Sequence, residues 1–184
     1  MQTINTIEHP AVRLAQPVSL QDFTAAQPLL ERSLEIYRKT GDHWSIAFTL
    51  HNLGIVSYHQ KDYATARGHY QEALSLAWDS GDRTGISCTL LCLGMIAVGV
   101  NENGRAARLF GAAESIREVF EVPLPDSERI DYERDVELLR ASMPIDHLIN
   151  TWEEGRSLTP ELAVQYALEN SDIVVWVGWA RFGG

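Results

Sequence analysis

Cysteine is scarce in this chain of 184 residues, and no apolar stretch approaches the length of a membrane span. The longest such run, Ile173 to Val177, falls far short of the roughly 20 residues that a spanning helix needs. The two cysteines, Cys88 and Cys92, exclude a disulfide framework and read as small buried hydrophobes in a reducing compartment. Basic residues are also few. Lys and Arg number 15 against 25 Asp and Glu, which gives a formal charge of -10 and a pI near 5.0. That balance argues against nucleic acid or an anionic membrane as a direct partner. The first residues show no charged start followed by an apolar core, so no signal peptide is expected and the reading is soluble and cytoplasmic.

Signatures of chemistry are missing as well. There is no Gly-rich phosphate loop of the G-x-x-x-x-G-K-[ST] kind and no nucleophile elbow. The C-x-x-x-C spacing of Cys88 and Cys92 is not that of a thioredoxin-like pair. His51 and His59 stand eight apart, about 12 Å along a helix, and no carboxylate lies three or four residues from His51 on the same helix. No catalytic residue, metal site or cofactor is expected, and the chain reads as a non-enzyme.

What the chain does have is an echo of period forty. Leu53-Gly54 returns as Leu93-Gly94, Ala66 as Ala106, Tyr70 as Phe110 and Ala73 as Ala113. Upstream, Gly41-Asp42 precedes Gly81-Asp82, and Ala26, Leu30 and Leu34 match Ala66, Tyr70 and Leu74. A fixed period of this size means stacked units, each burying its apolar face against a neighbour. Apolar spacing predicts helices over Gln21–Lys39, Trp44–Gln60, Tyr63–Asp79, Arg83–Val100 and Gly104–Phe120. Gly54 and Gly94 are expected at close helix crossings, with Tyr70 and Phe110 filling the space between units.

After Phe120 the period fails. Residues 121–161 hold eleven acids against four arginines, a net of -7, which reads as a solvated helical face or a docking surface for a basic partner. Helices are expected from Ser127 to Ser142, from Pro144 to Trp152 and from Pro160 to Leu168. Four segments result: an extended lead-in over 1–20, helical repeats over 21–120, acidic capping helices over 121–170 and an apolar tail over 171–184. The tail carries Ile173, Val175, Trp176, Trp179 and Phe182 and is expected either to fold back or to pair with a second copy.

The segment from Phe48 to Leu76 resembles the tetratricopeptide repeat, through Asn52-Leu53-Gly54, Lys61-Asp62-Tyr63, Ala66, Tyr70, Ala73-Leu74 and Leu76. The second unit departs at Ala97 and Val98, where an aromatic is usual, and at Asn103, where Tyr or an apolar residue is usual. The resemblance implies an all-α, right-handed α-solenoid of antiparallel helix pairs, closed by C-terminal capping helices. It also implies that the first helix of each pair lines a concave groove. Phe48, His51, Ile55, Tyr58 and His59 would face it from one unit, and Cys88, Leu91, Met95 and Val98 from the next. Such an apolar groove suits a peptide or protein segment, or else the chain's own lead-in or tail.

Residues 104–168 resemble the C-terminal end of large bacterial signalling ATPases and LuxR-type transcriptional regulators. The motifs are Arg108-Leu109-Phe110-Gly111-Ala112-Ala113-Glu114, Pro123-Leu124-Pro125, Trp152-Glu153-Glu154-Gly155-Arg156-Ser157-Leu158 and Glu161-Leu162-Ala163. With no nucleotide loop and no helix-turn-helix, the expectation is the sensor end of such a regulator, as a fragment or a small descendant. The expected function is a non-catalytic interaction module, with a small-molecule effector sensor as the alternative and an enzyme a distant third.

Overall fold

The computed structural model describes residues 20–124 and 126–169. The expectations for the lead-in and for the apolar tail lie outside these residues. Among the described residues the chain forms eight helices: α1 (Leu20–Thr40), α2 (His43–His59), α3 (Tyr63–Ser80), α4 (Arg83–Gly99), α5 (Asn103–Phe120), α6 (Asp126–Ser142), α7 (Ile145–Arg156) and α8 (Pro160–Leu168). No helix among them is long and apolar enough to cross a membrane. The helices stack as pairs in an all-α solenoid, α2 with α3 and α4 with α5, and α1 packs on α2. The seventh helix runs four residues past the expected end at Trp152.

Regular turns set the pairs. Asp42, Asp62 and Asp82 stand at twenty-residue intervals, and each carboxylate accepts a hydrogen bond from the backbone N–H three residues on, at 3.0–3.1 Å. That contact satisfies one of the donors left open at a helix start. At the next interval Glu102 does not cap α5 but pairs with Arg67 at 3.3 Å. Gly41 and Gly81 end their helices at φ +70°, where a side chain would be strained.

The recurrent mid-helix glycines have a specific task. A Cβ on Gly54 would lie 2.5 Å from the Tyr70 ring, and one on Gly94 would lie 2.5 Å from the Phe110 ring. Each glycine therefore admits the aromatic ring of its own partner helix. Both rings are fully buried as a result.

The core centres on α4, in which all thirteen residues from Ile86 to Val98 are buried. A helix buried all round needs cover on every side, and the last three helices contribute to it. The stack continues through α7, not α6. Gly111 and Gly155 let α5 and α7 meet backbone to backbone: a Cβ on Gly111 would fall 2.2 Å from the Trp152 carbonyl oxygen, and one on Gly155 would fall 2.1 Å from that of Arg108. Arg156 fastens the seam by donating to Glu114 and Glu118 at 2.7 Å each, and Trp152 Nε1 also donates to Glu114. The shortest of the three, α8, returns against α3, α4 and α5. There the Arg105 guanidinium donates to the Tyr166, Ala167 and Glu169 carbonyls, closing the end of α8.

Two glycine substitutions should act in opposite directions. A methyl group at Gly111 meets backbone that cannot yield, so Gly111→Ala should lose roughly 1–3 kcal/mol or more. Gly68 lies inside α3 with nothing within 4 Å of its would-be Cβ. Gly68→Ala should therefore gain about 0.5–1 kcal/mol through helix propensity alone. Urea unfolding of the two variants checks both signs.

Candidate functional site

Positions forty apart on α2 and α4 are equivalent, which aligns Phe48 with Cys88, His51 with Leu91, Ile55 with Met95 and Tyr58 with Val98. On α4 this face is apolar, and Cys88, Leu91, Met95 and Val98 are all buried. On α2 it is more polar: Tyr58 is buried, while His51, Ile55 and His59 are half-buried. Phe48 differs from the rest. It is 43% exposed and stacks on Trp44, with ring centroids 5.5 Å apart and planes 5° from parallel.

The face is not an open groove. Helix α6 packs on α4 and bonds to α2 through side chains from Glu128 to Asp135. Tyr58 Oη donates to Asp135 at 3.0 Å and accepts from the Arg134 guanidinium at 2.6 Å. His51 Nε2 lies 3.4 Å from Glu128, and His59 Nε2 lies 3.4 Å from Asp131. Alongside these polar contacts, Tyr132, Val136 and Leu139 of α6 join the main core. Tyr132 meets the Phe110 ring edge-on, with centroids 5.1 Å apart at 88°. The cover on this face is thus the acidic cap helix.

Acidity in this segment is accordingly of two kinds. Glu133 and Glu137 point to solvent, whereas Glu128 and Asp135 are buried against the repeats. The inward set departs from the expectation of a solvated or docking surface over the whole stretch. Its signal was present: Glu128, Asp131 and Asp135 recur at spacings of three and four, on the same side as Tyr132, Val136 and Leu139.

Burial dominates the titration of the site. It raises the Asp135 carboxyl above its ordinary range, although Arg134 pulls the other way. It raises the Tyr58 phenol further, helped by the Asp135 charge. His59 is pushed down by burial, with Asp131 opposing. Both thiols are free. Burial pushes Cys88 up to about 12 and holds Cys92 well above its usual range, the Glu128 charge adding to each. Thiols of this kind are poor nucleophiles at neutral pH.

A shallow hollow of about 320 Å³ lies elsewhere, at the end of α5, lined by Glu114, Arg117, Glu118, Glu121, Val122 and Pro123. It shares no residue with the α2–α4 face.

Among known families, the tetratricopeptide repeat matches residues 18–77. With that match, the described helices form an all-α, tetratricopeptide-like solenoid of stacked helix pairs. The match covers α1, α2 and most of α3, and the forty-residue echo carries the same pair into α4 and α5. No curated protein and no solved structure matches the chain significantly. Tetratricopeptide repeats generally bind peptides or proteins without catalysing a reaction.

The Tyr58 hydroxyl is the polar centre of the contact between the solenoid and α6. Tyr58→Phe removes a donor from a buried carboxylate and should cost about 1–3 kcal/mol. Amide exchange over residues 126–142 should quicken more than exchange in α3. An unchanged unfolding midpoint, with unchanged exchange in α6, would contradict this role.

Proposed function

We propose that this chain is a non-catalytic interaction module which receives a helical peptide or protein segment on the α2–α4 face, and that α6 holds the same face when no partner is present. The observation that carries the reading is the seating of α6: an amphipathic, acid-bearing helix lies on the α2–α4 face, which the tetratricopeptide resemblance would make the ligand surface. The contact residues proposed are Phe48, His51, Ile55, Tyr58 and His59 on α2, with Cys88, Leu91, Met95 and Val98 beneath them on α4. The exposed Trp44–Phe48 stack offers a first point of contact beside the covered region. An incoming segment would resemble α6 itself, with carboxylates toward His51, Tyr58 and His59 and apolar side chains toward α4.

The motif likeness of residues 104–168 to the ends of bacterial LuxR-type regulators and signalling ATPases supports a role in signal input. In that role displacement of α6 reports that a partner has arrived. The free thiols fit a reducing, cytoplasmic setting.

The test uses a labelled synthetic peptide of residues 126–142. In a full-chain variant carrying Asp135→Ala and Leu139→Ala, the internal helix is weakened and the face becomes available. The peptide should bind that variant and bind the unsubstituted chain at least tenfold more weakly. Adding Phe48→Ala and Tyr58→Ala to the variant should reduce binding again while helical circular dichroism persists. No binding to the weakened, still helical variant would overturn the proposal.

A further inference from the structure

Three helices bring one metal-ligating side chain each to a common point under α6. His51 comes from α2, Cys92 from α4 and Glu128 from α6, and their ligand atoms all lie within 4.8 Å of one another. Cys92 is fully buried, Glu128 is buried and His51 is half-buried. Sequence spacing gave no hint of the cluster, because no two of its members share a helix.

A second, independent feature points into the same place. The Tyr70 side chain is fully buried, and its hydroxyl has no hydrogen-bond partner of ordinary geometry. The ring stands edge-on to His51, with centroids 5.4 Å apart, and the hydroxyl sits against the Cys92 thiol, a weak partner. Packing alone does not call for that oxygen. In the next repeat Phe110 fills the equivalent slot over Gly94 with no hydroxyl at all. A buried hydroxyl with no partner better than a thiol is costly, and here it lies beside a nitrogen, a sulfur and a carboxylate ligand.

We infer that His51, Cys92 and Glu128 form a binding site for a divalent transition-metal ion of the zinc class, with the Tyr70 hydroxyl placed to hold a water in the fourth position. One imidazole, one thiolate and one carboxylate make a mixed donor set that suits tetrahedral Zn²⁺, whereas Mg²⁺ and Ca²⁺ prefer oxygen alone. With bonds of roughly 2.0–2.3 Å, ligand atoms around a tetrahedral ion stand about 3.5 Å apart. Drawing in from 4.8 Å is a matter of side-chain adjustment. On binding, the Cys92 Sγ–H bond breaks, the proton passes to solvent and the thiolate sulfur bonds the metal, so affinity rises with pH. The ion would tie α2, α4 and α6 together and fasten the cap helix to the repeats. This inference stands apart from the choice of protein partner.

The experiment is a Co²⁺ titration of the full chain under reducing conditions, followed by competition with Zn²⁺. The expected result is a thiolate-to-cobalt charge-transfer band that saturates at one equivalent and vanishes on addition of Zn²⁺. Cys92→Ala should remove the band, and the neighbouring Cys88→Ala should keep it. Glu128→Gln and His51→Gln should each weaken Zn²⁺ binding strongly, and Tyr70→Phe should weaken it by about 10–100-fold, as expected for a group that acts through a bound water. No band with the unsubstituted chain, or an undiminished band in Cys92→Ala, would overturn the site. If Cys92→Ala fails to fold, the glutamine variants decide: Zn²⁺ affinity unchanged in both would overturn it equally.

Discussion

A helix with no polar side must be covered from every direction, and α4 is such a helix. Its residues from Ile86 to Val98 are buried without a break. In a bare stack of helix pairs the first helix of each pair would keep one face open, and for α4 that face consists of Cys88, Leu91, Met95 and Val98. Leaving those side chains in water would forfeit roughly 1.5–3 kcal/mol for each large one. The chain removes them from solvent by laying α6 over this side, while α8 returns against α3, α4 and α5. The stack itself passes from α5 directly to α7, where Gly111 and Gly155 permit backbone contact.

The two repeats share a frame but not a surface. In both, a glycine on the first helix admits an aromatic ring from the second, so Gly54 holds Tyr70 as Gly94 holds Phe110. On the side of that frame that meets α6 they diverge, with His51 and Tyr58 on α2 where α4 has Leu91 and Val98. The α6 helix matches the division. Its carboxylates meet the histidines and tyrosine of α2, and Tyr132, Val136 and Leu139 enter the core. Buried acids are expensive unless they are bonded, which ties α6 to one seat rather than to any apolar surface of similar size. Specificity of seating is what a displaceable internal ligand would require.

Much of this was legible from residues alone. The capping aspartates at twenty-residue intervals and the paired glycines give the helices, their ends and their pairing, because those features act within one turn or one helix pair. Crossings at Gly54 and Gly94 were expected, although each proves to admit a ring from its own partner helix rather than the approach of another backbone. The path of α6 was not legible. Periodicity says that Tyr132, Val136 and Leu139 share a side, yet it does not say which neighbour they meet. His51 and Glu128 are 77 residues apart, as are Tyr58 and Asp135. Neither pairing leaves a local trace, and a net charge of -7 over the segment suggests water rather than burial. For the same reason the gathering of His51, Cys92 and Glu128, one from each of three helices, leaves no spacing signature in the sequence.

The seating of α6 over the repeats can be read directly from a nuclear Overhauser spectrum of the folded chain. Tyr132 on α6 and Phe110 on α5 have ring centroids 5.1 Å apart, so cross-peaks between their ring protons should appear, with ring-current shifts within the pair. Absence of those cross-peaks, with α6 signals at positions typical of a solvated helix, would contradict the account.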